Sequence, residues 1–570
     1  MRVIRPLFSV ALVVLLSVGL TAGPQSGPPV PTDPRDPLIN QGAKKEAIGG
    51  QVMVSTQLPI VTDAALKVLR DGGNAVDAMI TAVFLQHVND FHQVSHFGAM
   101  SAIYYEAKTG TYHVLSAVSE RPRADRGEQG DPNKVAIGGV VRGLEALAKK
   151  FGTRPWNSYL DPAIKSADEG VLVTSFMYGI NYSSWQGDLI KTNKEAREFY
   201  MPDGHLVPVG QRWKMPALAN TMRRVAAEGA DYLYKGGWAE KFVRESNKKG
   251  GRVTMQDMAE YQVKWQQPTR FTYRGHEIIG SPEPDTGGPI VGYNLNILEN
   301  FDLKALGPYW ESPAALEILA RTFGRVHDET RFTIQDPLSF KVPTAMWLSK
   351  DYGRLGAQFV RETMPTVNLS RAVETDVAAL APVTPTGFGN GDSGDLGSNH
   401  NVIADAQGNW LSMLHTGHGG TPGVFIDGVK ATGSTARALT SGPGRRLVLP
   451  ITAIMIAKNG KPWLAMGTPG SPPQPVTEVL VSILDYGLHP NAAADAPRFW
   501  AFRNNDRLVE IESRISPKVR EGMAAQGIRI KDLGPYDWNT GSMQIVWRDA
   551  TTGKLHGVTD PRRLGHVAGF

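Results

Sequence analysis

The distribution of apolar residues predicts several helices in the first two thirds of the chain. The stretch from Thr62 to Arg70 has the pattern of a helix that packs on a core. An Asp-Gly-Gly run ends this helix, and Asn74 is predicted to begin a second, more buried one. Another helix is predicted over residues 143–150. The segment from 138 to 350 is therefore expected to be mostly helical.

Residues 161–169 predict a further helix from the chemistry of their first positions. Asp161 is a residue type that caps helix N-termini, and Pro162 is a type favoured at the first helical position. Residues 49–54 are the first predicted strand. Trp156, Trp410 and Trp547 are expected in the core.

Alternating apolar and polar residues predict β-hairpins, mostly in the last third of the chain. One earlier hairpin is predicted over 101–115, around the turn Lys108-Thr109-Gly110. Residues 366–397 contain Pro, Gly and Asp with little periodicity, which predicts a long exposed loop. Three hairpins follow, at 401–414, 452–466 and 543–557. An exposed loop followed at once by sheet hairpins fits a processing site followed by a new sheet.

Composition and charge limit the function classes. The chain has 570 residues, of which 41% are hydrophobic and 20% charged, enough for a large core. Length alone would allow three or four domains, although large enzymes also form one continuous unit. The 60 basic and 55 acidic residues leave a net charge of +5, and no long Lys/Arg run is present. The sequence therefore predicts no nucleic-acid partner.

The N-terminus resembles a secretory signal. Two arginines precede an apolar run from Leu7 to Leu20 and small residues at 21–23, so residues 1–23 are predicted to be a signal peptide. The alternative is an uncleaved anchor, although the run is shorter than the roughly twenty residues of a membrane span. Residues 24–46 are a predicted flexible lead-in. With no cysteine, the protein is expected to be periplasmic or secreted and off the membrane after signal removal.

A serine nucleophile needs a base within reach. Gly470-Ser471 does not form a G-x-S-x-G elbow, because the second glycine is absent. A free α-amino group on an N-terminal serine would lie beside its own hydroxyl, and its pKa is close to neutral pH. Gly397-Ser398 could supply such a terminus after a chain break, since glycine tolerates a strained backbone. A Gly-Ser pair in a loop is ordinarily only a loop.

The histidines raise the possibility of a metal site. His87, His92 and His96 are close in sequence, as are His415 and His418, but no carboxylate follows at ligand spacing. They are interpreted as ordinary surface or pocket residues, and no metal is predicted. A metal-dependent hydrolase remains an alternative. Arg562, after Asp560-Pro561, is expected to form a structural ion pair.

Six motifs in consistent order resemble the γ-glutamyltransferase (γ-glutamyltranspeptidase) family over most of residues 47–570. They are Gly72-Gly-Asn-Ala-Val-Asp-Ala78, Gly138 to Leu147, Asp161 to Gly170, Asp485-Tyr-Gly487 with Ala496 to Phe499, Gly541-Ser542 and Asp560-Pro-Arg562. The resemblance implies an α+β fold, the four-layer αββα sandwich of N-terminal nucleophile (Ntn) hydrolases. It also implies self-cleavage into a large subunit, 47–397, and a small subunit, 398–570, that stay together without any cofactor.

The resemblance assigns roles to residues after the predicted cut. Ser398 falls where the family has its N-terminal threonine, so the cleavage site is Gly397-Ser398. Thr416 falls on a threonine that contacts the nucleophile's amine. Gly470 and Ser471 fall on two glycines that form the oxyanion hole, and a serine N–H can still donate there. These four positions, 398, 416, 470 and 471, are the predicted catalytic residues.

Several positions depart from the family pattern. The arginine that binds the glutamyl carboxylate aligns with Val118, and its two serines align with Val448-Leu449. The acidic residue for the amino group aligns with Ala431 or Thr432. A pocket without these groups should bind a zwitterionic head poorly. His400, His418 and Arg121 remain as candidate substrate-binding residues.

These features predict a self-processing amidohydrolase or acyltransferase that forms an acyl-enzyme on Ser398. Its substrate is expected to be a small-molecule amide or peptide whose acyl group is less charged than γ-glutamate. Two alternatives stay open. One is a true γ-glutamyl hydrolase or transpeptidase, and the other is a non-catalytic relative that acts as a binding protein.

Overall fold

The computed structural model describes residues 46–124, 136–182, 184–363, 397–417, 423–431, 442–470, 473–501 and 508–570. The predicted signal peptide, the lead-in up to residue 45 and the predicted loop up to residue 396 lie outside these ranges. His418 and Ser471 also lie outside them.

Helices dominate the first part of the described chain, as the sequence predicts. In chain order they are α1 (Pro59–Arg70), α2 (Ala75–Asn89), α3 (Val140–Phe151), α4 (Asp161–Glu169), α5 (Ser175–Tyr182), α6 (Ser184–Thr192), α7 (Lys194–Tyr200), α8 (Pro216–Glu228), α9 (Asp231–Tyr234), α10 (Gly237–Lys248), α11 (Met255–Glu260), α12 (Gly287–Leu298), α13 (Leu303–Leu306), α14 (Pro313–Thr330), α15 (Thr344–Trp347), α16 (Lys350–Thr363), α17 (Pro473–Leu484), α18 (Pro490–Asp495) and α19 (Pro517–Ala525). Short 3-10 helices cover Trp156–Tyr159 and Trp538–Thr540.

Most of the strands belong to two antiparallel sheets. In chain order the strands are β1 (Ala47–Gly49), β2 (Met53–Gln57), β3 (Ala99–Glu106), β4 (Thr111–Ala117), β5 (Val171–Leu172), β6 (Arg212–Trp213), β7 (Lys264–Gln266), β8 (Thr269–Tyr273), β9 (His276–Gly280), β10 (Ser398–Ala404), β11 (Trp410–Thr416), β12 (Val424–Ile426), β13 (Val429–Ala431), β14 (Ile454–Lys458), β15 (Lys461–Gly467), β16 (Phe499–Ala501), β17 (Leu508–Ile511), β18 (Arg529–Asp532), β19 (Gln544–Arg548), β20 (Leu555–Thr559) and β21 (Gly565–Gly569). Sheet I has the order β1-β20-β19-β15-β14-β9-β8, and sheet II has the order β21-β2-β10-β11-β3-β4-β7.

The predicted hairpins all form, and two helix starts differ from prediction. The first helix begins at Pro59, earlier than the predicted Thr62, because proline fits the first helical turn. Asp161 was predicted as an N-cap, which is wrong. Leu160 holds the cap position and Asp161 is the first helical residue, so its carboxylate faces the helix N-terminus without a capping hydrogen bond. Asn74 does cap the next helix, in a capping box with Asp77.

Apolar side chains fill the space on both faces of each sheet. Strand β10 shows the alternation: Val402 packs in a cluster with residues of sheet I such as Met455, while Ile403 packs against the helices with residues such as Phe84. A third cluster joins the outer face of sheet I to helices α12, α14 and α17. Because side chains alternate, Ser398 and His400 share the face of Val402, between the two sheets.

Strands from both sides of residue 397 alternate within each sheet. In sheet II, β10 and β11 lie between β2 and β3, and in sheet I, four later strands lie between β1 and β9. The predicted cleavage point is therefore not a boundary between two separate cores.

No helix in the described ranges combines the length and the apolar character that crossing a bilayer requires. Two of the three tryptophans predicted in the core, Trp410 and Trp547, are buried. Trp156 is only partly buried, because it packs at the edge of the helical cluster.

Candidate active site

Ser398 is the first residue of β10, and the hairpin register places it directly opposite Thr416. The two strands pair without interruption from the turn at 405–409. Ser398 and Thr416 are the same number of residues from this turn, so they pair with each other. The Thr416 hydroxyl donates a short hydrogen bond to the carbonyl oxygen of Gly397. The bond between Gly397 and Ser398 therefore has a hydrogen-bond donor on its carbonyl.

Backbone from the segment after α2 packs closely around this bond. A side chain at Gly397 would place its Cβ 2.5 Å from the carbonyl oxygen of Gln93, so only glycine fits there. The same Gln93 oxygen accepts a hydrogen bond from the Gly417 N–H at 3.2 Å. A Cβ at Gly98 would overlap the carbonyl of Thr416. Gln93 and Gly98 thus shape the site, and neither is among the predicted site residues.

These two residues differ in how well the sequence could have indicated them. Gly98 lies just before the strand pattern of β3, where a glycine is a signal of close backbone approach. Gln93 acts through its carbonyl, so its side chain gives no signal in the sequence.

His400 lies two residues after Ser398 on the same face and is fully buried. Its Nε2 is 2.9 Å from the Ser412 hydroxyl, and its ring fills the space where Gly467 of β15 would carry a Cβ. Burial lowers the pKa of His400 to about 3. The imidazole is therefore neutral at ordinary pH, and its contact with Ser412 is a hydrogen bond between uncharged groups.

The segment after β15 carries the predicted oxyanion residues. Gly470 has a φ of 90°, a left-handed conformation that favours glycine. It follows Gly467 by three residues, and Gly467 packs on His400 across the space between the sheets. The described chain stops at Gly470 and resumes at Pro473, the start of α17.

An apolar cluster occupies the positions where the resemblance places carboxylate-binding groups. Val118 and Leu449 are both buried and pack in it with Leu414 of β11. Its members are Ala99, Val118, Ala136, Leu414, Leu447, Leu449 and Ile451. Leu414 is two residues from Thr416 on the same face of the strand, so the cluster adjoins the Ser398–Thr416 pair.

Arg121 lies near this apolar cluster, and its backbone is bonded to the segment at 444–445. Its N–H donates to the carbonyl of Arg445 at 3.0 Å, and its carbonyl accepts from Gly444 at 3.1 Å. The side chain is almost wholly buried. Ala431, one of the two positions aligned with the family's acidic residue, ends β13 and is buried among apolar side chains.

The histidines are more buried than predicted. His87, His96 and His415 form one cluster, with ring centroids 4.4 Å apart for His87–His96 and 5.2 Å for His87–His415. They are not surface residues, because each of the three is at most 1% exposed. Burial lowers the pKa of His96 and of His415 to about 3 and the pKa of His87 well below its usual value. In the described ranges, no group of three or more His, Asp or Glu is arranged to hold a metal ion.

Two further side chains near the C-terminus are structural. Arg562 is fully buried and pairs with Glu512 at 2.6 Å and Asp560 at 3.1 Å, as predicted. Asp560 also pairs with Arg498 and accepts from the Met543 N–H. These contacts hold the end of sheet I rather than the candidate site.

Comparison with known proteins gives a consistent result. Residues 61–570 match the family model described as gamma-glutamyltranspeptidase. The acylase ACY 1 proenzyme of Pseudomonas sp. (strain SE83) is 28% identical over 521 residues, which cover 85% of this chain and 88% of the acylase. The glutathione hydrolase proenzyme of Escherichia coli (strain K12) is 26% identical, with 100% of both chains covered.

A solved structure shares the fold. The cephalosporin acylase from Bacillus halodurans superimposes with a TM-score of 0.77 at 23% identity, over 96% of this chain and 99% of the acylase. The described α+β architecture with antiparallel sheets is therefore one that a known acylase also has.

Proposed function

The chain belongs to the gamma-glutamyltranspeptidase family, and from that premise we propose that it is a self-processing amidohydrolase with Ser398 as its nucleophile. The relatives named above are hydrolases and acylases, and both are named proenzymes. The observation that carries the proposal is the hydrogen bond from the Thr416 hydroxyl to the Gly397 carbonyl.

That hydrogen bond suits self-cleavage. When Ser398 Oγ attacks the Gly397 carbonyl carbon, negative charge develops on the oxygen that Thr416 already contacts. Collapse of this adduct breaks the C–N bond, transfers the proton of the Ser398 hydroxyl to the Ser398 nitrogen and leaves an ester on Oγ. Water then hydrolyses the ester, which releases the Gly397 carboxylate and a free α-amino group on Ser398.

The same residues then support amide hydrolysis. Ser398 Oγ attacks the substrate carbonyl and its own α-amine takes the proton, with Thr416 orienting the amine. The N–H groups of Gly470 and Ser471 hold the oxyanion. The α-amine passes its proton to the leaving amine, and loss of that amine gives an acyl-enzyme. Water, or an acceptor amine, resolves it. Each of these roles needs no bound metal or organic cofactor.

The acyl group is proposed to lack the zwitterionic head of γ-glutamate. Val118 and Leu449 pack together in the apolar cluster, where a carboxylate would lose hydration without gaining a partner. The names of the acylase relatives are consistent with acyl groups of other kinds.

We also infer the finer architecture from the packing. Helices cover the outer face of each sheet and apolar side chains fill the space between the sheets, which supports a four-layer αββα sandwich. Residues 47–397 and 398–570 would stay together after cleavage, because both contribute strands to each sheet. Export to the periplasm or medium rests on the N-terminal signal pattern.

Intact mass spectrometry of the purified protein tests the proposal directly. Wild-type protein should give two fragments, the smaller running from Ser398 to Phe570, while Ser398→Ala should remain one chain. Ser339→Ala, at an exposed serine, is the matched control and should be cut normally. A wild-type chain that stays whole after long incubation would contradict the mechanism and favour a non-catalytic relative. Turnover of a γ-glutamyl anilide at rates equal to other amides would favour the γ-glutamyl alternative.

A further inference from the structure

Asp285 carries a buried carboxyl group that no described residue pairs with in ordinary hydrogen-bond geometry. It lies in the segment between β9 and α12 and is 0% exposed. Neither of its side-chain oxygens has a hydrogen-bond partner at ordinary distance and angle among the described residues. Burying an unpaired carboxyl is strongly unfavourable, so the group calls for a function or a ligand.

The surroundings of Asp285 are polar, and no cation of the described residues lowers its pKa. Burial raises the pKa of Asp285 to about 7, and weak hydrogen bonds from the Ser101 and Ser281 hydroxyls, outside ordinary hydrogen-bond geometry, lower it. Among the described residues, the charge that acts on Asp285 is that of Glu283, which has the same sign. The hydroxyls of Thr286 and Thr452 are also buried without a partner in the described chain.

Backbone hydrogen bonds tie this polar group to the apolar cluster. Asp285 and Leu449 form a parallel bridge. The Thr286 N–H donates to the Leu449 carbonyl at 3.0 Å, and the Leu449 N–H donates to the Pro284 carbonyl at 3.3 Å. Leu449 packs in the apolar cluster with Val118, so Asp285 lies at one end of that cluster.

Strand register gives the separation from the nucleophile. Ser101 faces Asp285 from β3, opposite Leu414, which in turn pairs with His400. Two strand spacings and two residues along β10 place Ser398 about 12 Å from Ser101, Cα to Cα. A short acyl chain, together with the side chains at its two ends, is long enough to bridge a separation of this order.

We propose that Asp285 forms the polar end of the acyl pocket and selects acyl chains that carry a primary ammonium group at their far end. The methylenes of such a chain would pack on the apolar cluster, and the ammonium would supply the missing cation and hydrogen-bond donors. A carboxylate at the same end would be repelled by Asp285 and Glu283. This inference rests on the proposed amidase function and narrows its substrate class.

Two anilides that differ in one group test the proposal. The 5-aminopentanoyl and hexanoyl p-nitroanilides have chains of equal length, ending in an ammonium or a methyl group. The cleaved wild-type enzyme should show a kcat/KM about 10- to 100-fold higher for the aminopentanoyl compound, as expected for a charged hydrogen bond. In Asp285→Asn, kcat/KM should fall 10- to 100-fold more for the aminopentanoyl than for the hexanoyl compound.

Glu478→Gln is the matched control. Glu478 is equally buried and its pKa is raised by burial to about 8, but it contacts Tyr309 on the outer side of sheet I. This variant should keep the wild-type ratio of the two substrates. Thermal melting and the extent of self-cleavage show whether each variant is folded.

The outcomes separate the inference from the proposed function. A wild-type enzyme that is cleaved and turns over both anilides without preferring the ammonium would overturn the inference alone, even if Asp285→Asn fails to fold. The inference would also be overturned if wild type and folded Asp285→Asn gave the same ratio of kcat/KM for the aminopentanoyl and hexanoyl anilides. Absence of any cleavage before Ser398 would instead overturn the proposed function.

Discussion

The two ends of the candidate site differ in the kind of atom that defines them. Around Ser398 the important groups are backbone carbonyls, one hydroxyl and close-packed glycines. In the apolar cluster the important groups are aliphatic side chains. Backbone geometry tolerates few substitutions, whereas side chains of similar volume can be exchanged. We therefore expect that bond cleavage at Ser398 and selection of the acyl group by the apolar cluster can be changed independently of each other.

Adding one methyl group near Ser398, where backbone atoms define the site, should have the largest effect on self-cleavage and stability. In Gly467→Ala the new Cβ would overlap the His400 ring, which has no space to move because it is fully buried. We expect loss of self-cleavage and a free energy of unfolding lower by about 1–3 kcal/mol. Gel analysis of cleavage and urea unfolding measure both. Gly237→Ala, whose Cβ would meet nothing within 4 Å, should behave as wild type.

Removing the hydroxyl opposite the nucleophile should have the next largest effect. Thr416→Ala loses the donor on the Gly397 carbonyl, and the rate of self-cleavage should fall about 10²- to 10³-fold. Thr416→Ser keeps the hydroxyl and should recover most of the rate. The time course of fragment appearance by mass spectrometry distinguishes the two. Equal rates in all three proteins would show that this hydrogen bond plays no part in cleavage.

A polar atom introduced into the apolar cluster should change the preference for acyl groups more than the rate of self-cleavage. Val118→Thr is expected to lower kcat/KM for the hexanoyl anilide about tenfold, because the buried hydroxyl must be desolvated against the acyl chain. Val326→Thr places the same group in the helical cluster beside sheet I. Both variants should lose similar stability, and only the first should lose hexanoyl turnover. If both lose it equally, the apolar cluster does not contact the acyl group.

The smallest predicted effect concerns pH and the histidine cluster. The folded-state pKa values of His87, His96 and His415 are depressed, so the unfolded chain binds more protons once pH falls below about 6.5. Their contribution to stability is complete above that pH and is lost as pH falls, by up to about 1.4 kcal/mol per unit for each histidine. Urea unfolding between pH 7.5 and 5.5 should show a shallower slope for His96→Leu than for wild type.

An exposed histidine provides the control for this slope. His205→Gln should leave the slope unchanged, because His205 lies on the surface. Titrating groups outside the histidine cluster contribute equally to the proteins compared, so their effect cancels in the difference. A His96→Leu slope equal to that of wild type would contradict the depressed pKa.

Local features of the fold could be predicted from the sequence, and long-range ones could not. The turn at 405–409 fixes the hairpin register, so the pairing of Ser398 with Thr416 follows from counting residues. The contact of His400 with Gly467 joins strands of different sheets, and no periodicity encodes it. The burial of His87 and His96 was missed for the same reason, since the enclosing strand β11 comes from a distant part of the chain. Asp285 gave no signal because a single Asp between Pro284 and Thr286, just before two glycines, resembles an ordinary turn.

The alternation of strands within the two sheets also determines how the protein can fold before and after the chain is cut. In the uncut precursor, β10 and β11 find β2 and β3 by an intramolecular search, with an effective concentration set by the connecting chain. After the break before Ser398, the same pairing would be a second-order reaction between two polypeptides that each lack part of both sheets. Recovery from denaturation should then depend on protein concentration for the cut form and not for Ser398→Ala. Only the uncut precursor can therefore fold by an intramolecular reaction, and self-cleavage would remove that route as it activates the enzyme.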